Sequence, residues 1–514
     1  MKRTRTPLFY RVAAVGASTW LLLAVPGLAQ TTTPAQPPAG TIAAPASVPS
    51  GPWTLQRAVD YAVQNNLNVR QSSLSAELSD ADLRQSRAAL LPTANVNGTQ
   101  AWNYGTGLDP LTNDFVSQTI RSNNFSANTQ LNVFSGFQLR NTVKRNVLDY
   151  KASLADIEQA RNDLSLNVAA AFLQLVLNQE LVRTNELRVN TTQQQLERTK
   201  KLLAAGSVAE SNLLDTQAQL ASDELNLVTA QNQRDISRLQ LAQLLNLDPA
   251  SAAAFQIEVP NLPDPDEQST LNFDPNATYQ TAQGFLPQIQ AADLRVQSSI
   301  RGVEVARGAY YPRLFFGASV FSGFSSARLA RVLTGDSIAG AALPVFQIDP
   351  IAGPRPTNFA VLTPRQPNFE LLPTSFSDQV KDNIGRALQF SLQIPILNGL
   401  QTRTNVQRSQ IAVKQAELRA AQTRLQLQQT IQQAYADAVA AQRRFASASR
   451  QVEALNTAYK NAEIRFNNGL LNGTEFNIAK NNLNGAESSM IQAKYEFIFR
   501  RKVLEFYQGN PLTL

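Results

Sequence analysis

Two stretches of about 67 residues, 137–203 and 400–466, carry apolar side chains on a seven-residue register. No other feature of the chain restricts its fold as much. In the first stretch Val147, Leu154, Val168, Leu175, Val182, Val189, Leu196 and Leu203 share one register, with Arg161 as its polar member. Val143, Tyr150, Ile157, Leu164 and Ala171 fill the partner position. In the second stretch Val406, Val413, Ala420, Leu427, Ala434, Ala441, Ala448, Leu455 and Ala462 do the same. A repeat of 3.5 residues predicts helices packed side by side in a left-handed supercoil. At 1.5 Å per residue each would span roughly 100 Å, longer than a single globular domain. Beyond Asn178 the partner position of the first stretch turns polar, at Asn185, Thr192 and Thr199. That part of the seam is expected to be wetter or looser.

The two stretches belong to a duplicated unit. Residues 83–92 (LRQSRAALLP) match residues 303–312 (VEVARGAYYP) at an offset of 220. An offset of 263 then carries Phe134-Ser135-Gly136 onto Leu397-Asn398-Gly399, Phe172 onto Tyr435 and Gly206 onto Gly469. The second copy therefore holds an insertion, placed at about 323–386 and rich in Pro and apolar residues. It is expected to be a long loop outside the cell or folded into the mouth of a barrel. Each copy reads as helix, strand, loop, strand, very long helix, tight break and medium helix. Gly206 and Gly469 supply the left-handed residue that ends a helix, so each break is an αα-hairpin tip.

The strand runs alternate. Ala94, Val96, Gly98, Trp102 and Tyr104 oppose Asn95, Asn97, Thr99 and Asn103. Phe125, Ala127, Leu131 and Val133 oppose Ser126, Asn128, Gln130 and Asn132. The second copy offers Leu314, Phe316, Ala318 and Val320, then Leu388, Phe390, Leu392, Ile394 and Ile396. Runs of about 9–11 residues with one apolar face suit strands of a membrane β-barrel. Four strands cannot enclose a lumen, so the chain must assemble with copies of itself.

Composition excludes most chemistry. The chain has no Cys and no His, which removes thiolate and imidazole metal sites and the common nucleophile triads. No catalytic residues, cofactor or metal are expected. The 88 Asn and Gln side chains match the 85 charged ones, which suits wet helix faces or a water-filled lumen. Lys2, Arg3, Arg5 and Arg11 precede an apolar run and Gly27-Leu28-Ala29, so residues 1–29 read as a signal peptide. Removing it lowers the net charge from +7 to +3, and nucleic acid is not an expected partner. No Cys follows, so no lipid-anchored start is expected. Residues 30–52 read as a flexible Pro/Ala/Thr-rich tail. The first unit spans 53–245, a linker 246–277 and the second unit 278–510.

The chain resembles the TolC family of outer membrane efflux proteins over about residues 53–510. TLQRAVDYAVQNN (54–66), SRAALLP, ARGAYYP, IPILNG (394–399) and the two tip sequences carry the resemblance. Where the family has Asn-Pro at the opening, Leu67 follows Asn66. The resemblance implies a mainly α fold with a membrane β-barrel: a homotrimeric α/β tunnel with twelve strands in the outer membrane and a helical barrel in the periplasm. It makes 246–277 an equatorial linker. It implies a periplasmic adaptor at the tips, an inner-membrane pump of RND or ABC type, and lipid of the outer membrane around the barrel. The tip residues implied are Gly206, Ser207, Asn212, Arg465, Gly469 and Leu470, with Arg198 nearby. The acid that the family often places six residues after the tip glycine is Glu475 here, with Asn212 as its first-copy counterpart. Phe466 stands where some members have an aromatic. Glu475 and Phe466 are thus candidates for an entrance gate that attracts cations. Leu471 and Ile478 replace polar residues of some members, which speaks against a polar latch at the tip itself. The alternative is a periplasmic adaptor without its own pore, but an adaptor has one hairpin flanked by small β-domains.

Overall fold

The computed structural model describes residues 51–108, 115–259, 273–338, 340–351 and 353–510. The expected signal peptide, nearly all of the 30–52 tail and residues 260–272 of the linker lie outside them. Helices α1 (Leu55–Asn65) and α2 (Leu67–Ala88) lead to strands β1 (Thr93–Leu108) and β2 (Phe115–Ser135), then to α3 (Gln138–Ala204) and α4 (Glu210–Leu244). A short α5 (Pro249–Ala254) follows. Next come α6 (Pro275–Phe285), α7 (Pro287–Arg307) and β3 (Arg313–Ser325). Strands β4 (Leu329–Ile338), β5 (Ala342–Asp349), β6 (Gly353–Leu362) and β7 (Gln366–Pro373) and helix α8 (Phe376–Asp382) occupy the insertion. The chain closes with β8 (Gly385–Gln393), α9 (Gln401–Asn467) and α10 (Gly473–Tyr507). Helices α3 and α9 both have 67 residues, and α4 and α10 both have 35.

Equivalent breaks in the two halves use different residues. Asn66 ends α1 and caps α2, its side chain accepting from the Asn68 N–H. At the matching place α7 starts with Pro287, whose fixed φ and missing N–H suit a first helical position. Leu67 can replace proline because Asn66 supplies the cap. Entry into the long helices is the same in both halves. Gly136-Phe137 and Gly399-Leu400 are consecutive left-handed residues, with φ of 61° and 64°, and 58° and 63°.

The strands form a four-stranded antiparallel sheet in the order β1-β2-β3-β8. Val96, Tyr104, Leu388, Phe390 and Leu392 are exposed on its apolar face. Asn95, Asn128, Gln130, Ser319, Gln389 and Ser391 line the opposite, polar side. Two strand expectations change. Strands β1 and β2, at 16 and 21 residues, exceed 9–11, because Gly105 and Gly107 interrupt the apolar alternation without ending the pairing. Ile394 and Ile396 fall beyond β8, where Pro395 has no N–H to continue a ladder.

The insertion is not a structureless loop. Strand β4 pairs with β7 and β5 with β6, which makes one long two-armed ribbon. Apolar and β-branched runs such as LPVF and FAVL favour pairing despite the prolines. The ribbon is anchored where the buried Gln379 side chain accepts from the Ser325 N–H and donates to the Ser325 and Thr374 carbonyls.

Two heptad expectations also change. Helix α3 packs against α1, α2, α4, α7 and α10, so its buried face is broader than one seam and includes Ala169, Phe172, Leu173 and Val176. Leu154, in the expected register, is 41% exposed. The polar part of the seam is dry: Asn178, Asn185, Thr192 and Thr199 are all buried. Polar side chains close a seam as well as apolar ones when each finds a partner. Asn178 donates to Ser237 Oγ at 2.5 Å, and Asn185 donates to the Leu181 carbonyl.

Candidate functional site

The two helical tips have one geometry. At the first, the Gly206 N–H donates to the Leu203 carbonyl and the Ser207 N–H to the Leu202 carbonyl. At the second, Gly469 donates to Phe466 and Leu470 to Arg465 in the same pattern. These paired bonds satisfy the last carbonyls of α3 and α9 and need the left-handed glycines, at φ 70° and 73°. The tips are neighbours. A Cβ added to the buried Gly473 would lie 3.2 Å from Asn212 Oδ1, so α10 starts in close contact with α4.

Leu470 is 71% exposed at the turn, and Gly206, Ser207, Arg198, Arg465 and Gly469 are also exposed. Asn212 is half-buried between the hairpins. Glu475 sits in the first turn of α10, where its own N–H donates to Asn472 Oδ1 at 2.7 Å. Its carboxylate side chain is exposed at a helix N-terminus, which favours negative charge. Phe466 is not a free ring. It stacks on Phe476 with centroids 4.6 Å apart and planes 12° apart, and Tyr459 packs on the other partner of the pair at 5.7 Å.

About 20 Å along the helices from the tips, at 1.5 Å per residue, lies a buried polar cluster that the sequence reading missed. The Lys480 ammonium of α10 donates to Thr192 Oγ1 of α3 at 2.6 Å. Thr192 donates to Asp223 Oδ2 of α4 at 2.6 Å, and Gln219 donates to Asp223 Oδ1 at 2.8 Å. Gln219 and Asn481 exchange amide hydrogen bonds across the same gap. Arg188 of α3 reaches the Asn484 carbonyl and Glu487 of α10. Thr192, Asp223 and Lys480 are each less than 10% exposed. Burial pushes the Lys480 pKa below its ordinary value; Asp223 opposes this and Arg188 adds to it. The cluster ties α10 of the second hairpin to both helices of the first. Its sequence signals are the polar seam position Thr192 and a lysine inside the apolar spacing of Phe476, Leu483 and Ala486.

At the other end of the long helices the polar sheet face runs into a groove of about 790 Å³, lined by Gln138, Arg145, Arg313, Gln393, Asn398 and Asn405 among others. Among the described residues no helix is long and apolar enough to cross a membrane. No group of three metal-binding side chains stands together among them either.

A sequence profile described as outer membrane efflux protein matches residues 58–247 and 373–509, together more than half of the chain. The chain belongs to that family. The match leaves out most of the insertion. Fusaric acid resistance protein FusA of Burkholderia cepacia is 27% identical over 221 residues, which cover 40% of this chain and 39% of that protein. The pyoverdine export outer membrane protein OpmQ of Pseudomonas putida is 24% identical over 282 residues, 53% of this chain and 57% of its own length. The chain thus spans between two fifths and three fifths of these relatives. Solved structures extend the likeness in fold. VceC of Vibrio cholerae superposes with a TM-score of 0.67 at 15% identity, covering 89% of this chain and 97% of VceC. CmeC of Campylobacter jejuni gives 0.65 at 16% identity, covering 90% and 87%. Both are described as outer membrane proteins, CmeC as a channel. The family is that of outer membrane efflux proteins and the fold is shared with a solved outer membrane channel, so the periplasmic adaptor reading is set aside.

Proposed function

We propose that three copies of this chain form a passive duct, its sheets closed into one barrel in the outer membrane and its long helices in the periplasm. One observation carries the reading: the polar face of the sheet, at Gln389 and Ser391, leads on through the paired Arg313 and Gln393 into the polar groove between the starts of α3 and α9 and the end of α7. A water-filled path along that face needs no catalysis and no bound cofactor. The names of two relatives, one of pyoverdine export and one of fusaric acid resistance, agree with the passage of small molecules through such a duct. The tips are the docking end for a periplasmic adaptor, with an RND or ABC pump behind it, and Leu470 and Arg465 are its exposed contact residues. Glu475 is the entrance carboxylate, and Phe466 acts by bracing Phe476 rather than by blocking the path. In planar bilayers the wild type should open cation-selective pores. Glu475→Gln should keep the pores and lose most of the selectivity; unchanged selectivity would remove Glu475 from the entrance. A photocrosslinker at Leu470 should capture a periplasmic adaptor in cells, and capture of lipid alone would refute that orientation.

Self-assembly follows from the duplication. Helix α3 is flanked by α2 and α7. On its α7 side Asp149 binds Ser298 and Asp156 binds Arg295, with Ala152 and Ala155 buried between these pairs. Helix α9 has α7 on one flank and, at the position of Ala155, Leu418, which is 66% exposed. Helix α2 carries, at the position of the buried Ser298, Leu78, also 66% exposed. Helix α2 of one copy therefore fits against α9 of the next as α7 fits against α3 within the chain. Leu418→Asp should leave the isolated chain helical and shift the detergent-solubilised protein from trimer to monomer in light scattering. A trimer unaffected by this charge would place Leu418 outside the contact.

A further inference from the structure

Where the sheet meets the helices, two grooves open on opposite sides of the α3–α7 pair. The larger, on the polar side, holds Arg145 and Arg313. The second, of about 420 Å³, is lined by Phe137, Arg140, Lys144, Glu304, Arg307 and Tyr311, along with backbone near Gly136 and Gly308. It shares no residue with the first. Residues 140 and 144 point about half a helix turn away from 138 and 145, which line the polar groove. The second groove therefore opens on the side continuous with the apolar sheet face.

Its chemistry is that of an interfacial site. Arg140, Lys144 and Arg307 are exposed, and none forms an ion pair or side-chain hydrogen bond among the described residues. The one acid, Glu304, is held by Arg301, which donates to both of its oxygens at 2.8 Å. Above the cations stand Phe137 and Tyr311, 50% and 52% exposed. Aromatic rings with basic side chains beside them mark the headgroup level of a bilayer. A solvated helix-end arginine alone would be unremarkable, since Arg307 also complements the α7 dipole. Two of the three cations recur in the other unit, although Gln407 replaces Lys144 and Leu400 and Leu91 replace the two rings. The duplication offsets place Arg403 at the position of Arg140, Arg408 at that of Arg145, and Arg87 at that of Arg307. Arg403 and Arg87 are likewise exposed.

We propose that this groove binds the phosphate of an anionic phospholipid headgroup from the periplasmic leaflet, with Arg140, Lys144 and Arg307 as its ligands and Phe137 and Tyr311 against the glycerol and upper acyl chain. In the assembled ring Arg403 of one copy and Arg87 of the next would form a weaker counterpart, with two cations and no aromatic ring. The ring of headgroups fixes the depth of the barrel in the membrane. The inference rests on the membrane orientation proposed above.

The test uses the full chain purified in a neutral detergent, with bound lipid read by native mass spectrometry. Added phosphatidylglycerol should give retained adducts, whereas phosphatidylcholine should not. Each basic side chain near a headgroup layer is worth about fivefold, so the triple variant Arg140→Gln, Lys144→Gln, Arg307→Gln should weaken retention by roughly 10²-fold. The pair Arg145→Gln, Arg313→Gln, on the polar side, should retain lipid like the wild type. Equal retention by the triple variant, or equal loss in the polar-side pair, overturns the site. Displacement of the lipid by millimolar inorganic phosphate would also overturn it, as a phosphate site without lipid specificity. Failure of the orientation itself would look different: the wild type would then bind neither lipid and would not float with vesicles.

Discussion

Gly136→Ala should abolish assembly of heat-resistant protein in the membrane, while Gly399→Ala should be tolerated with a modest loss of thermal stability. Both glycines sit at φ near 60°, in the same left-handed turn between a strand and a long helix. That conformation alone costs an alanine about 1–2 kcal/mol. The difference lies in what surrounds them. A Cβ on Gly136 would lie 2.2 Å from the Gly308 carbonyl oxygen and 2.8 Å from Tyr311 Cβ. A Cβ on Gly399 meets nothing within 4 Å in the chain. Backbone cannot swing aside as a flexible side chain can, so Gly136→Ala has to part α7 from the head of α3. Overpacking of that severity costs roughly 3 kcal/mol or more beyond the turn itself. The pairing is reciprocal: a Cβ on Gly308 would lie 2.6 Å from the Gly136 carbonyl oxygen. Where the second unit has Gly308, the first has Ala88. In the proposed contact between copies, Gly399 would meet a position that already carries a methyl, which agrees with the milder effect expected there. The readout is the fraction of heat-resistant oligomer in membranes. Equal behaviour of the two variants would mean that the Gly136–Gly308 approach is looser than the geometry requires.

The sequence made the long-range order of this chain legible because its elements are repetitive. A seven-residue register sustained over 67 residues admits little other than a long packed helix, and glycine at a register end marks a hairpin. Alternation identified the sheet for the same reason, with side chains repeating every two residues. What escaped were features that depend on neighbours distant in sequence. Leu154 sits on the register, yet α3 turns it outward because several helices, rather than one, define the core around it. The insertion looked like a loop because its prolines hid two ladders whose partners lie up to 44 residues apart, as Leu329 and Pro373 do. The buried cluster was hidden more deeply. Thr192 and Asn185 were visible as polar seam positions, but polarity was read as wetness. Only Asp223 and Lys480, 31 and 288 residues from Thr192, turn the same position into a closed network.

That network supports the second large effect. Asp223→Ala should loosen the second hairpin from the first far more than Lys480→Met does. Removing the carboxylate leaves the Lys480 ammonium buried among Thr192, Arg188 and helix backbone, with a second cation nearby and no anion in direct reach through Thr192. Breaking a buried pair from one side costs about 3–5 kcal/mol, because the remaining charge stays desolvated. Lys480→Met removes the cation instead. Asp223 keeps its bonds from Thr192 and Gln219, and a methionine of similar volume fills the space. The double variant Asp223→Leu, Lys480→Met should recover much of the loss, since replacing both partners by apolar groups is often neutral. Hydrogen exchange of α10 amides between Phe476 and Glu487 reads the effect directly. Alkaline pH supplies an independent check. The folded state lowers the Lys480 pKa, so between that lowered value and the unfolded value near 10.5 the unfolded chain binds more protons at this site. Stability contributed by the site therefore rises with pH across that window, and the burial penalty is fully present below it. Wild-type protection of α10 should gain over that range relative to Lys480→Met, which has no proton to lose. Parallel pH profiles for the two proteins would mean that the ammonium is solvated and that α10 is held by its apolar contacts alone.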